Sequence, residues 1–367
     1  MIKILVIGAG AIGRGYVPWL FNDEYILHFV DSNEQLINSL QDNKHYFSFM
    51  TNTDSYIEKR VEVSKIMNIK DVSSSLLNDY NFVISSVGPR QFMSLVELFK
   101  NSTTPIICFE NDHSLVPLMR SATSRDNIYF GIPDVITSNS TSDELQKKYS
   151  NSLITEQGQT FIEEGAAELG GNIVYVSDDE IAKQWAAKLY IHNTPHCVAA
   201  YLGSLIGSKF LHQAMKNKLI DEIVTGVANE MAKMTRKEFG LSDEFSTFYL
   251  NKEIARFKNI LLHDPIKRIA REPFRKLALN DRLIGAASKA IANNISVENT
   301  LTGVIAAFRY DDYDDPDRNI KILFESLDRE DFLRIAIGLN QHEVIYQLIL
   351  DQWDHSISML ERVKNHE

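Results

Sequence analysis

The 367-residue sequence predicts two parts: an α/β N-terminal part on a doubly wound, mostly parallel sheet, and an all-α C-terminal part. Three observations carry this reading. Short apolar runs alternate with helix-like stretches through the first half. A glycine loop joins the first run to the first helix. After Asp179 nearly every segment has helical spacing.

The elements follow in order. Residues 3–7 (Lys-Ile-Leu-Val-Ile) form a short apolar run beside glycines, as expected of a strand buried on both faces. Gly8-Ala9-Gly10-Ala11-Ile12-Gly13 follows, then a helix through Trp19 and Leu20. Residues 25–30 read as a second strand ending at Asp31, and 33–40 as a helix. Residues 81–87 are a strand closed by Gly88-Pro89, 105–109 another, followed by Glu110-Asn111, and 129–132 the next. Residues 152–156 and 172–176 suggest a small antiparallel addition. Beyond it, 180–207, 218–239, 279–293 and 342–364 have helical spacing. The domains are read as 1–180, nucleotide-binding, and 181–367, helical and substrate-binding.

Composition narrows the function. Lys and Arg number 38 against 49 Asp and Glu, a net charge of −11, which disfavours nucleic-acid binding and polybasic membrane attachment. Two cysteines, Cys108 and Cys197, make no disulfide framework or zinc pattern, so no metal site is expected. The first apolar run stops at Gly8, too short for a signal-peptide core, and no stretch approaches the ~18 apolar residues of a membrane span. The expectation is a soluble cytoplasmic protein with a small-molecule partner, no nucleic acid and no membrane, as a monomer or small homo-oligomer.

The glycine loop is the strongest local signal. Gly8 suits a tight turn, Gly10 a close approach to a pyrophosphate, and Gly13 the packing of helix on strand. Asp31 lies 18 residues beyond Gly13, at the end of the second strand, where a carboxylate binds a ribose diol and repels a 2′-phosphate. A Rossmann site for NAD is expected. The alternative is an ordinary strand-turn-helix with an Asp cap.

Lys188, His192, Asn193 and His196 form a second cluster. On an α-helix, with Lys188 at zero, the others fall at about 40°, 140° and 80°. They share one arc of a mostly apolar helix. A desolvated Lys serves as a general base, an Asn stabilises an oxyanion, and a His holds a hydroxyl. Pro195 predicts a kink. The alternative is a solvated stripe with a core His. A third cluster, Lys267, Arg268, Arg271, Arg275, Lys276 and Arg282 against Glu272 and Asp281, reads as an anion site or as a salt-bridged helix face. The acidic run Asp311-Asp312-Tyr313-Asp314-Asp315 reads as a surface loop, and Cys197 as a small core residue.

Lys188, Asn193 and His196 have the spacing Lys, four residues, Asn, two residues, His. With Gly8 to Gly15, Val87-Gly88-Pro89, Glu110-Asn111, Ala200-Tyr201-Leu202-Gly203 and the segments 268–277 and 281–283, this set resembles the polyol-specific long-chain dehydrogenases, from residue 1 to about 316. The resemblance implies a metal-independent, NAD-dependent oxidoreductase interconverting a sugar-alcohol phosphate and a ketose phosphate, with a free polyol or a hexuronate as alternatives. A non-catalytic nucleotide-binding protein is the further alternative. Lys188 would be the base, Asn111 and Asn193 would polarise the substrate oxygen, and His196 would orient the substrate. Arg268, Arg275, Lys276 and Asp134 would bind the substrate. Gly8, Ala9, Gly10, Ile12, Gly13, Arg14, Asp31, Gly88 and Asn111 would line the cofactor. Pro195 stands where the family usually has Gly, and Val135 where an Arg usually follows the Asp; the stretch 112–130 is short.

Overall fold

The computed structural model describes every residue except 52–54, 140, 142, 167–168, 170 and 366–367. The chain divides into two compact units. One is Met1–Trp185 with Leu261–His263; the other is Ala186–Ile260 with Asp264–Glu367.

The first unit holds β1 (Ile2–Ile7), β2 (Tyr25–Asp31), β3 (His45–Thr51), β4 (Tyr56–Glu62), β5 (Ile66–Asn68), β6 (Phe82–Ser85), β7 (Ile106–Cys108), β8 (Ile128–Pro133), β9 (Thr137–Ser138), β10 (Leu153–Glu156), β11 (Thr160–Glu163) and β12 (Ile173–Val176). Its main sheet runs β12-β11-β8-β7-β6-β1-β2-β5. Every pairing is parallel except β8 with β11. Alternate side chains feed two cores. Ile4, Val6, Phe29, Ile84 and Ile107 go to one, and Leu5, Ile7, Val30, Val83, Ile106 and Phe130 to the other. Burial on both faces explains the unbroken apolar runs. The chain leaves β1 toward β2 on one side and later returns to β6 on the other. The glycine loop therefore sits where the strand order reverses, the usual ligand position of an open α/β sheet.

An antiparallel addition is present, since β11 and β12 run against the rest of the main sheet and β10 against β9, but its expected grouping is corrected. Residues 152–156 and 172–176 lie in different sheets. β12 pairs in parallel with β11 in the main sheet. β10 belongs to a second sheet, β4-β3-β10-β9, parallel to β3 and antiparallel to β9.

The second unit is helical around one core. Its longest helices are Lys218–Phe239, Asp243–Lys258 and Val344–Lys364. Asn217 and Ser242 cap the first two by accepting the N–H groups of Ile220 and Phe245. Thr194–Leu205 is buried from Thr194 through Gly203, which explains its lack of a polar face. Among the described residues, no helix is long and apolar enough to cross a membrane.

The single α-helical arc expected for 188–196 is also corrected. Ala187–Asn193 is wound as a π-helix, and Thr194–Leu205 returns to α. Pro195 supplies the reason: in an α-helix its ring would press on the carbonyl of Ile191 and leave that carbonyl without a donor. A wider turn relieves the conflict. The Thr194 hydroxyl reaches back five residues to the Leu189 carbonyl, at 3.3 Å.

Candidate functional site

In the first unit the glycines have separable jobs. Gly8 has φ +97°, and a Cβ there would lie 2.5 Å from the Ser86 carbonyl oxygen. A Cβ on Gly13 would collide with the Gly8 carbonyl. At Gly10 a Cβ would meet nothing within 4 Å, so the backbone there faces open space. One tight turn, one close packing contact and one open approach together form a cradle that fits a pyrophosphate, ahead of the helical run that begins at Ala11 and includes Ile12.

Asp31 is tied to this loop directly. Its Oδ2 accepts the Ala9 N–H at 2.8 Å and its Oδ1 accepts the Asn33 N–H at 2.8 Å. A carboxylate offers about four lone-pair sites, so two such bonds leave capacity for a diol. Arg14 turns inward. Its Nε donates to the Ala9 carbonyl at 2.6 Å and its Nη1 to Asn151 at 3.0 Å, over the Tyr46 ring. Burial pushes its pKa down, partly offset by Tyr46 and Asp31. Arg14 thus shapes the loop from behind.

Beyond β6, Glu110 organises the next loop. Its carboxylate accepts the Ser85 hydroxyl at 2.8 Å, the Val87 N–H at 3.0 Å and the Gly88 N–H at 2.8 Å. Burial raises its pKa, and these three bonds oppose the rise. Gly88, at φ +91°, opens the helix Pro89–Phe92. Asn111 follows Glu110 and is half-buried. Asp134 is buried just after β8, where its N–H donates to the Gln159 carbonyl at 2.9 Å.

In the second unit the π turn carries Lys188, His192 and Asn193, with His196 in the following α turn. In so wide a turn, residues four and five apart lie on one side. Lys188 is half-buried; His192, Asn193 and His196 are buried. The two imidazoles pack 4.8 Å apart, and the Phe257 ring stacks on His196 at 5.1 Å. Each imidazole meets its own carboxylate. His192 Nδ1 bonds Glu253, whose Oε1 also takes Arg256 at 2.5 Å. His196 Nε2 bonds Asp264 Oδ2 at 2.9 Å. Asp264 Oδ1 in turn accepts Arg268 Nε at 2.9 Å and Nη2 at 2.5 Å.

Burial and these pairings act together on protonation. Burial lowers the His196 pKa to about 4, although Asp264 opposes the shift. Burial pushes the Asp264 carboxyl up, but the Arg268 charge and the His196 bond outweigh it and hold it below its ordinary value. Near neutral pH these shifts favour a carboxylate beside a neutral imidazole.

The basic segment is two short helices, Ile266–Ala270 and Pro273–Leu277, joined through Glu272 at φ +63°. Arg268 and Lys276 therefore do not share one helix face, because Pro273 opens a second helix. Lys276 is buried, and its ammonium donates to the Ile269 and Arg271 carbonyls. Burial, and after it the charge of Arg282, lowers its pKa to about 7. Arg275 pairs with Glu272 at 3.1 Å and Asp281 at 3.0 Å, and Arg282 with Asp281 at 2.7 Å. Lys267 pairs with Asp312 at 2.8 Å. The sequence count of six cations against two carboxylates misses Asp264 and Asp312, which join the cluster in space. The acidic run is corrected likewise. Asp312 and Asp315 are buried, and Asp315 accepts the Glu272 N–H at 3.1 Å.

Sequence reasoning named Glu110 only as part of the Glu110-Asn111 pair, without a role, and missed Glu253 and Asp264. The only local signals were Glu253 three residues before Arg256 and Asp264 four before Arg268, ordinary helical charge spacings. Among the described residues, no group of three or more His, Cys, Asp or Glu side chains is arranged to hold a metal ion.

Residues 2–105 match the mannitol dehydrogenase Rossmann domain, and 181–328 the mannitol dehydrogenase C-terminal domain, together well over half of the chain. A mannitol-1-phosphate 5-dehydrogenase of Exiguobacterium sp. (strain ATCC BAA-1283 / AT1b) is 26% identical over 380 aligned positions, covering 96% of this chain and 97% of the relative. One from Thermoanaerobacter pseudethanolicus is 27% identical over 341, covering 86% and 88%. The fold matches Pseudomonas fluorescens mannitol 2-dehydrogenase in ternary complex with NAD and D-mannitol, at TM-score 0.74 and 14% identity over 99% of this chain and 91% of that one. It also matches a substrate-free D-sorbitol dehydrogenase, at TM-score 0.70 and 15% identity over 99% and 95%. On the two family matches, the chain belongs to the mannitol dehydrogenase family of oxidoreductases.

Proposed function

We propose that the chain is an NAD-dependent, metal-independent cytoplasmic enzyme that interconverts mannitol 1-phosphate and fructose 6-phosphate. Residues 1–180 would serve the nucleotide and 181–367 the sugar. The observation that carries this reading is the set Lys188, Asn193 and His196, gathered by the π turn and the α turn after it, with the His196 ring held in place by its bond to Asp264. The names of the relatives above support the phosphorylated substrate.

Lys188, as the neutral amine, takes the hydroxyl proton of the secondary alcohol. The amides of Asn193 and Asn111 donate to the oxygen as it gains negative charge. His196 accepts a neighbouring hydroxyl and so orients the sugar chain. NAD, when bound, supplies the acceptor for the hydride leaving carbon. Asp31 holds the ribose diol, and the open backbone at Gly10 receives the pyrophosphate. In the reverse direction Lys188, as the ammonium, returns the proton and a ketose is reduced.

A second reading, a free polyol, is favoured by one observation. Every cation of the segment already faces an oxygen of this chain: Arg275, Lys276 and Arg282 as described, Arg268 on Asp264, and the two most exposed, Lys267 and Arg271, on Asp312 and Glu272. The test is NADH oxidation with fructose 6-phosphate, fructose and a panel of keto-uronates. The proposal expects kcat/KM for fructose 6-phosphate to exceed that for fructose by about tenfold or more, the worth of one charge-assisted hydrogen bond. Equal values would establish the free-polyol reading, and a keto-uronate preference would assign the cations to a carboxylate. No oxidation with any ketose would refute the enzyme.

A further inference from the structure

We propose that Asp264 is a positioning residue that serves both polar arms of the sugar site: it holds His196 in the Nε2–H tautomer, so that Nδ1 offers a lone pair to a substrate hydroxyl, and it holds the Arg268 guanidinium by one edge. The tautomer follows from the geometry and from the burial that keeps the ring neutral; its consequence for turnover rests on the polyol reaction proposed above.

The backbone at Asp264 is fixed before its side chain does anything. The Leu211 N–H donates to the Asp264 carbonyl at 2.9 Å, and the Ile266 N–H donates to the Lys209 carbonyl at 3.0 Å. Phe210 and Pro265 bridge between them. This short antiparallel clamp sets the carboxylate beside a helix, Thr194–Leu205, some seventy residues earlier in the chain. The buried carboxylate then divides its oxygens. Oδ2 takes only the imidazole, and Oδ1 takes two guanidinium nitrogens. An ionised carboxylate has no proton to give, so the imidazole nitrogen facing it must be the donor. The other ring nitrogen becomes an acceptor. The Arg268 side chain is 41% exposed and is held through Nε and Nη2, so Nη1 is the edge turned away from Asp264. An acceptor for a hydroxyl and a donor for a hydroxyl or an anion are thus set by a single carboxylate.

Asp264→Asn keeps the volume and breaks this division. One end of an amide is a donor. If it faces His196, the ring must move its proton to Nδ1; if it faces Arg268, two donors oppose each other and the guanidinium is released.

The test has a spectroscopic and a kinetic arm. Histidine ring 15N chemical shifts, with the His196 signal identified by its loss in His196→Gln, read the tautomer directly. The wild type is expected to carry its proton on Nε2, and Asp264→Asn to raise the Nδ1–H population. In the kinetic arm, Asp264→Asn is expected to lower kcat/KM for the ketose about tenfold or more, with NADH affinity unchanged. It should cost less than about threefold further in kcat on His196→Ala, and less than about threefold further in KM on Arg268→Ala, because coupled residues do not add. A merely structural role would multiply with both. A wild-type ring protonated on Nδ1, or multiplicative losses with both partners, overturns the proposal. If the wild type reduces no ketose, the proposed function has failed; an Nε2–H tautomer that shifts in Asp264→Asn then still upholds the role of Asp264.

Discussion

The glycine loop of the first unit and the histidine pair of the second are built in opposite ways. The first is made of backbone. Gly8, Gly10 and Gly13 lie within six residues and act by lacking a Cβ, and its main side-chain ligand, Asp31, bonds the Ala9 N–H of the same turn. The second is made of side chains brought from afar: His192 meets Glu253 and His196 meets Asp264 across 61 and 68 residues. A site made by local backbone geometry tolerates change around it and fails when a methyl group is added. A site made of paired charges fails when either partner is removed, since an unpaired buried charge costs about 3–5 kcal/mol.

Breaking each side in turn tests that contrast. The largest effect is expected from Lys188→Ala, which should lower turnover by about 10²-fold or more while the dissociation constant of NADH, measured by fluorescence titration, stays within about twofold. A variant retaining more than about a hundredth of the activity would remove Lys188 as the general base.

On the nucleotide side, Gly10→Ala should fold with an unchanged melting temperature, because its Cβ meets nothing, yet bind NADH about tenfold more weakly because that space is where the pyrophosphate approaches. Gly13→Ala should lower the melting temperature itself. Asp31→Ala should narrow the preference for NADH over NADPH by about tenfold, the worth of one charge contact to the diol or against a 2′-phosphate. Wild-type protein using both cofactors equally would remove that role.

These three positions mark what the sequence makes legible. Gly10, Gly13 and Asp31 declare themselves because the chemistry there is contiguous and their identities are dictated by backbone. The central strands of the main sheet, β1, β6, β7 and β8, are legible for a related reason: burial on both faces leaves them little polar interruption. β4 was not, because it is the edge of its sheet and carries Glu58, Lys59, Arg60 and Glu62 where an apolar pattern would have announced it. The short β11, at Thr160–Glu163, leaves too little pattern to read. Asp264 was not singled out because no local rule links it to a helix so far back in the chain. The winding of 187–193 was not foreseen because Pro195 predicts only that α geometry must yield, without saying how.

The smallest effect sharpens the charge side of the contrast. The folded pKa of Lys276 is lowered to about 7, so between pH 7 and the unfolded value of 10.5 the unfolded chain binds one proton more than the folded one. Stability contributed by this group is full above 10.5 and is lost as pH falls through 7. Over that window it raises unfolding free energy by at most about 1.4 kcal/mol per pH unit. Urea unfolding at pH 7.5 and 9.5 should show this rise in the wild type and a smaller one in Lys276→Met. An equal slope in both would mean that the carbonyls of Ile269 and Arg271 support the charged ammonium fully.

The winding at Ala187–Asn193 bears on how this segment tolerates changes of length. A π turn holds one residue more than the α turn it replaces, so in a sequence register it behaves as an insertion fixed in place. Deleting Ile191 would let the turn close to α, and Lys188 would then stand seven residues from His196, within about 20° on one helix face. The cost of closing would fall on Pro195, whose ring would again press on the carbonyl four residues before it. The segment can therefore give up its surplus residue and keep Lys188 on the side of His196, with the strain moved from the winding to the proline.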